Sequence, residues 1–100
     1  LAKNLSARVD LHTTTFAGSF ARDSEVMVPA FKVSVLRATG AGDAWNAGNI
    51  FGDALGLPDR FRLTLANAVA AYYISSPAGE QPTLPKLIDF CSKQLAAIKD

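Results

Sequence analysis

The apolar and polar positions change period once along the chain, near residue 40. Val9 to Phe16 is β-branched and threonine-rich, and predicts an extended strand. Gly18 and Ser19 predict a turn. Glu25–Val28 predicts a short strand stopped by Pro29. Phe31, Val33 and Val35 alternate with polar positions over residues 31–36, the pattern of a half-buried strand. Beyond Gly40 the spacing is helical. Ala44, Ala47, Phe51, Ala54 and Leu55 fall near one face of a first helix over 44–55, and Gly56–Leu57–Pro58 stops it. Asp59 is placed to cap a second helix over 60–74, with Phe61, Leu65, Ala68 and Tyr72 at three- and four-residue spacing. Residues 75–82 are a loop marked by two prolines and Gly79. Thr83 caps a last helix over 84–98, whose apolar face is Leu84, Leu87, Ile88, Cys91 and Leu95.

The order is therefore three strands, then three helices. Helices covering one face of a three-stranded sheet leave its other face in need of a cover. Leu1–Leu5 reads as the end of a helix running into an extended segment. Both features lead us to expect a chain that begins inside a domain. The 100 residues fit one domain at most. A hydrophobic share of 49% places the chain among folded proteins rather than disordered ones.

Charge and cysteine usage narrow the function classes. Ten basic against nine acidic residues leave a net charge of +1, which excludes a strongly basic nucleic-acid binder and a polybasic membrane patch. The longest apolar stretch, 66–74, is interrupted by Asn67 and is far short of a membrane span. No basic segment precedes a hydrophobic run at the start, so no signal peptide is expected. One cysteine, Cys91, forms no internal disulfide, and a reducing, cytoplasmic location is expected. One cysteine and one histidine are too few for a zinc site, so no metal site is expected. His12 reads as a strand-face histidine and Cys91 as a helix-packing residue.

The chemistry is concentrated in Arg37–Gly48, where a strand, a Gly-Ala-Gly turn and a helix start follow one another. Glycines let a ligand approach the backbone closely. The first amides of a helix have no internal acceptor and, with the positive end of the dipole, form an anion site suited to phosphate. The turn ends Gly42–Asp43–Ala44, so it is no Walker A loop, and Trp45 stands where a dinucleotide fingerprint has its third glycine. Asp43 has two readings. An acidic residue at a helix start complements the dipole. A carboxylate beside a phosphate-binding turn is also placed to take the proton from an attacking hydroxyl, as phosphoryl transfer requires.

Thr39-Gly-Ala-Gly-Asp-Ala-Trp-Asn-Ala-Gly48 resembles the C-terminal signature of the ribokinase-like carbohydrate kinases, the PfkB family. Residues 65–71, the Gly79–Thr83 loop and the lead-in 28–35 resemble the family's neighbouring segments. The resemblance implies the C-terminal third of a doubly wound three-layer α/β/α fold, with residues 1–100 forming part of a single kinase domain. It implies ATP-dependent transfer of a phosphoryl group to a hydroxyl of a sugar, with ATP and Mg2+ as cofactors. By the same resemblance Asp43 is the general base, Gly40, Ala41 and Gly42 form the anion hole, and Thr39, Gly42, Asp43, Asn67 and Gly79 serve the nucleotide. Each has a structural counterpart reading: Asn67 as a satisfied core amide, Gly79 as a turn residue, and Trp45, Tyr72 and Tyr73 as packing.

One position departs from the pattern. The family has an acidic residue six positions before the base, which helps bind an activating monovalent cation; here it is Arg37. A cationic side chain disfavours potassium, so no such site is expected. The sugar pocket, the lid and the family's magnesium-linked motif lie outside the matched residues. The implied partners are a sugar or nucleoside substrate, the N-terminal part of the same polypeptide, and, through the lid, a second copy. This chain alone is expected to be inactive. A nucleoside kinase of the same family and a non-catalytic nucleotide-binding module stand as alternatives.

Overall fold

A computed structural model describes the backbone of residues 8–99 and the side chains of residues 8–94. The reading of Leu1–Leu5 and the placing of Leu95 lie outside those residues. Three strands, β1 (Val9–His12), β2 (Phe16–Ala21) and β3 (Ser24–Pro29), form an antiparallel meander in that order. Three helices follow, α1 (Ala41–Ala54), α2 (Asp59–Ser75) and α3 (Leu84–Lys99).

The strands differ from the expected ones for physical reasons. Residues 9–16 do not form one strand, because the chain turns at Thr13–Thr15. The Thr13 hydroxyl accepts the Phe16 N–H at 3.0 Å and the Thr15 N–H at 3.3 Å, closing the turn with its own side chain. Gly18 and Ser19 are not a turn. They lie in the middle of β2, paired with Met27 and Val26 on one side and Leu11 and Asp10 on the other. A Cβ on Gly18 would sit 2.7 Å from the far end of the Phe20 ring, which would have to shift to admit it.

Residues 31–34 keep their alternation without forming a strand, while Val35, expected on the buried side, is 59% exposed. Phe31 and Val33 are half-buried and Lys32 and Ser34 exposed, yet no ladder partner lies beside them among the described residues. Alternation records which side chains seek burial; a strand also needs a neighbour for its backbone. The segment instead ends by hanging on α2, with the Leu36 and Arg37 N–H groups both donating to Ile74 O, at 2.7 and 3.2 Å.

Helix α2 is the centre of the fold. It lies against β2 and β3, and α1 and α3 flank it, so the sheet is not roofed by all three helices. Its buried side includes Leu63, Ala66, Asn67, Ala68, Val69, Ala70 and Ala71. Phe61, expected on that side, is 63% exposed. Asp59 is not the cap: Pro58 takes that position, and the Asp59 carboxylate accepts from the Arg62 guanidinium at 3.1 Å.

Helix α1 faces α2 with Ala44, Trp45, Gly48 and Gly52 rather than with Phe51 and Leu55, which are 53% and 59% exposed. A Cβ on Gly48 would stand 2.9 Å from the Ala66 backbone. The small residues set the buried face by letting two helix backbones approach closely, so the bulkier apolar residues are turned outward. The Thr83 hydroxyl accepts the Lys86 N–H at 3.4 Å at the start of α3. Leu87 of α3 is buried, while Leu84 and Ile88 are exposed. Tyr72 and Phe31 both meet the Phe90 ring edge-on, at centroid distances of 5.7 and 6.1 Å.

Candidate active site

The turn that opens α1 is built on Gly40. Its φ of 92° is left-handed, and a Cβ there would stand 2.8 Å from the Tyr73 hydroxyl, so both conformation and space call for glycine. The helical ladder begins with the Ala44 N–H donating to Gly40 O at 2.9 Å, and the Ala41 N–H is held by Ala38 O at 3.2 Å. No side chain caps the helix. The N–H groups of Gly42 and Asp43 thus lie in the first turn, where the ladder offers no acceptor. A Cβ on Gly42 would meet nothing within 4 Å. Asp43 is exposed in the same turn. The dipole, two unclaimed amides and a carboxylate converge on one helix end, which is able to hold an anion and receive a proton beside it.

Asn67 is placed differently. It is 4% exposed; its Oδ1 accepts the Trp45 indole N–H at 2.9 Å and its Nδ2 donates to Pro29 O at 3.0 Å. Trp45 in turn stacks on His12, with centroids 5.1 Å apart and planes 7° from parallel. Asn67 therefore ties α1, α2 and the end of β3 together. It also lines a cavity of about 720 Å³ bounded by Ala38 and Ala41 of the turn, His12, Phe31 and Lys32. The turn and Asn67 share this cavity. Burial lowers the pKa of His12 below the usual histidine value.

Gly79 lies elsewhere, in the loop after α2. Its φ is 66°, and a Cβ there would stand 3.1 Å from the Arg37 guanidinium. Thr39 is exposed, one residue before the turn's first glycine. Among the described residues no three His, Cys, Asp or Glu side chains gather as a metal site. Burial raises the pKa of the Cys91 thiol, which disfavours the thiolate. No helix among the described residues is long and apolar enough to cross a membrane.

The sequence did not point to one polar cluster. Arg62 is fully buried, and its guanidinium donates to Asp10, Asn49, Ser19 and Asp59. Arg8 bridges Asp10 and Asp53 at the rim. These residues are spread over 55 positions or less of the chain and join through the fold, so no local pattern marks them.

No protein-family model matches the chain. Over 70 residues it is 36% identical to an uncharacterised sugar kinase, YegV, of Escherichia coli K12, covering 69% of this chain and 22% of that protein. Its structure superposes on an Escherichia coli ribokinase II in its apo form with a TM-score of 0.72 and 23% identity, over 82% of this chain and 27% of the other. It superposes on a nucleoside kinase of Methanocaldococcus jannaschii, an archaeal member of the ribokinase family, with a TM-score of 0.71 and 22% identity, over 80% of this chain and 28% of the other. The chain thus spans about a fifth of the length of the curated relative and about a quarter of the two solved structures. The sequence is thus similar to that of a sugar kinase, and the chain has the ribokinase-like fold, in the form of a C-terminal portion of such proteins.

Proposed function

We propose that this chain supplies the phosphoryl-transfer end of an ATP-dependent sugar kinase whose sugar pocket lies in the rest of the polypeptide. The observation that carries the reading is the helix end at residues 40–43, where unclaimed amides and an exposed carboxylate lie together. Asp43 takes the proton from the attacking hydroxyl as the new oxygen–phosphorus bond forms and the bond to the departing ADP oxygen breaks. The anion hole is the turn Gly40, Ala41 and Gly42: Gly40 and Ala41 shape it, with the Ala41 N–H held by Ala38 O, while the unclaimed N–H groups of Gly42 and Asp43 and the helix dipole meet the charge that develops on the phosphoryl oxygens. ATP, when bound, supplies the phosphoryl group, and Mg2+ held by its phosphates and waters needs no protein cage. Thr39 and Asn67 border the nucleotide from the turn and from the cavity wall, and Gly79 does so from the loop. A nucleoside acceptor is the second reading, favoured by the likeness to the archaeal nucleoside kinase.

Gly42→Ala separates the anion hole from a merely tight turn. A Cβ at this position meets no atom of the protein within 4 Å. Alanine also favours the helix by about 0.8–1 kcal/mol over glycine. In the full-length protein this variant should melt no lower than the native protein, while its kcat/KM for phosphoryl transfer falls at least tenfold through crowding of the phosphoryl oxygens. Unchanged kcat/KM would remove Gly42 from the anion hole.

A further inference from the structure

The side chain of Arg37 closes onto the end of α2 rather than onto solvent. Its Nη1 donates to Tyr73 O at 2.8 Å and also to Ser76 O, and its Nη2 donates to Pro77 O at 3.4 Å. These carbonyls belong to the negative end of the α2 dipole and the loop that follows, where a cation is stabilising. The guanidinium carbon stands 5.6 Å from the centre of the Tyr73 ring, within cation–π range. Two glycines complete the arrangement. Gly79 lies so close that a Cβ would meet the guanidinium at 3.1 Å, and Gly40 lies so close to the Tyr73 hydroxyl that a Cβ would stand 2.8 Å from it. One cation thus fixes three pieces together: the chain entering the anion-binding turn, the last turn of α2, and the Gly79 loop.

We infer that Arg37 is a positioning residue for phosphoryl transfer, acting through Tyr73 on the Gly40 turn and directly on the Gly79 loop. The inference rests on the kinase reading above. The planar fork is what allows one side chain to serve several carbonyls while stacking on a ring, which a lysine ammonium cannot reproduce. Removing it takes the guanidinium from the carbonyls of Tyr73, Ser76 and Pro77, of which the first two keep only the backbone N–H groups of Ser76 and Gly79, and leaves the turn without its backing. A misplaced reacting group of about 1 Å costs on the order of 10²-fold.

The test is Arg37→Ala and Arg37→Lys in the full-length protein, with kcat, the KM of each substrate and the melting temperature measured together. Both variants should lose kcat, by about 10²-fold for alanine and less for lysine, while the KM of the acceptor stays within about twofold. Millimolar guanidinium chloride should restore at least tenfold to Arg37→Ala, and tetramethylammonium, which has no N–H, should restore nothing. The native protein should turn over equally in potassium and tetramethylammonium salts, because the carbonyls already hold a cation. Lost melting temperature with kcat unchanged, equal rescue by both cations, or strong potassium activation of the native protein would each overturn the inference and leave the kinase reading standing. Absence of phosphoryl transfer by the native protein would overturn both. If Arg37→Ala does not fold, Arg37→Lys decides: full kcat in that variant overturns the role of the fork.

Discussion

Replacing Asp43 by asparagine in the full-length protein should cut phosphoryl transfer by about 10²–10⁴-fold while nucleotide binding persists. The magnitude separates the two readings of this residue. As a dipole-complementing carboxylate in the first turn of α1, Asp43 contributes about 0.3–1 kcal/mol to stability and nothing to turnover. As a general base it lowers the barrier by about 3–5 kcal/mol, the energy equivalent of that rate loss. Asparagine keeps the shape and the helix start, so the melting temperature should scarcely move. The measurement is kcat beside the ATP dissociation constant by calorimetry. Full turnover in Asp43→Asn would return the residue to the structural reading, and loss of ATP binding would make it a ligand rather than a base.

The second large effect concerns the fold. Asp10→Ala should destabilise the protein by about 3–5 kcal/mol, because it strands a buried charge. Arg62 is 0% exposed, with its Nη1 3.1 Å from Asp10 Oδ2. Asp10 also accepts from Ser19 at 2.7 Å, Asn49 at 3.0 Å and Arg8 at 3.1 Å, so it is the node that joins β1 and β2 to both α1 and α2. Asp59 remains as a partner for Arg62 at 3.1 Å, which places the loss toward the lower end of that range. Arg62→Met should cost less than Asp10→Ala, since it removes the buried charge and leaves Asp10 paired with Arg8. Urea denaturation of the two variants checks the order; a larger loss for Arg62→Met would show that packing rather than charge dominates.

The same cluster fixes a pH dependence. Burial pushes the Asp10 carboxyl up, but the hydrogen bonds from Asn49 and Ser19 and the charges of Arg62 and Arg8 outweigh it and hold the group below its usual 3.8. A carboxyl depressed in the folded state contributes stability that is complete above its unfolded value and lost as pH falls through the folded one. The native protein should therefore weaken below about pH 4, and Asp10→Ala should lack that limb of the acid transition.

Legibility in the sequence followed locality. The helix starts near Gly40, Pro58 and Thr83 were visible because caps and breakers act within a few residues. Asp43 and the glycines beside it were visible for the same reason. The hairpins differ from the sequence pattern where threonine, a good strand residue, closes a turn with its hydroxyl at Thr13, and where Gly18 pairs with Leu11 and Met27 in mid-strand rather than turning the chain. The buried face of α1 was misread because Gly48 and Gly52 decide it by permitting approach, a property of the neighbouring helix rather than of periodicity. Asn67 was legible as a polar residue on an apolar helix; its bonds to Trp45 and Pro29 arise from residues 22 and 38 positions away. Arg37 was legible only as a departure, since its carbonyl partners lie 36 to 40 residues further on.

The central claim is that the helix end at residues 40–43 serves phosphoryl transfer to an alcohol. The most direct test is to incubate the full-length protein with γ-labelled ATP and a panel of sugars and nucleosides and to follow the label. The account predicts that label moves to a hydroxyl of at least one sugar or nucleoside, with one ADP formed per phosphoryl transferred. Label released only as inorganic phosphate, or left on ATP across the whole panel, would contradict it.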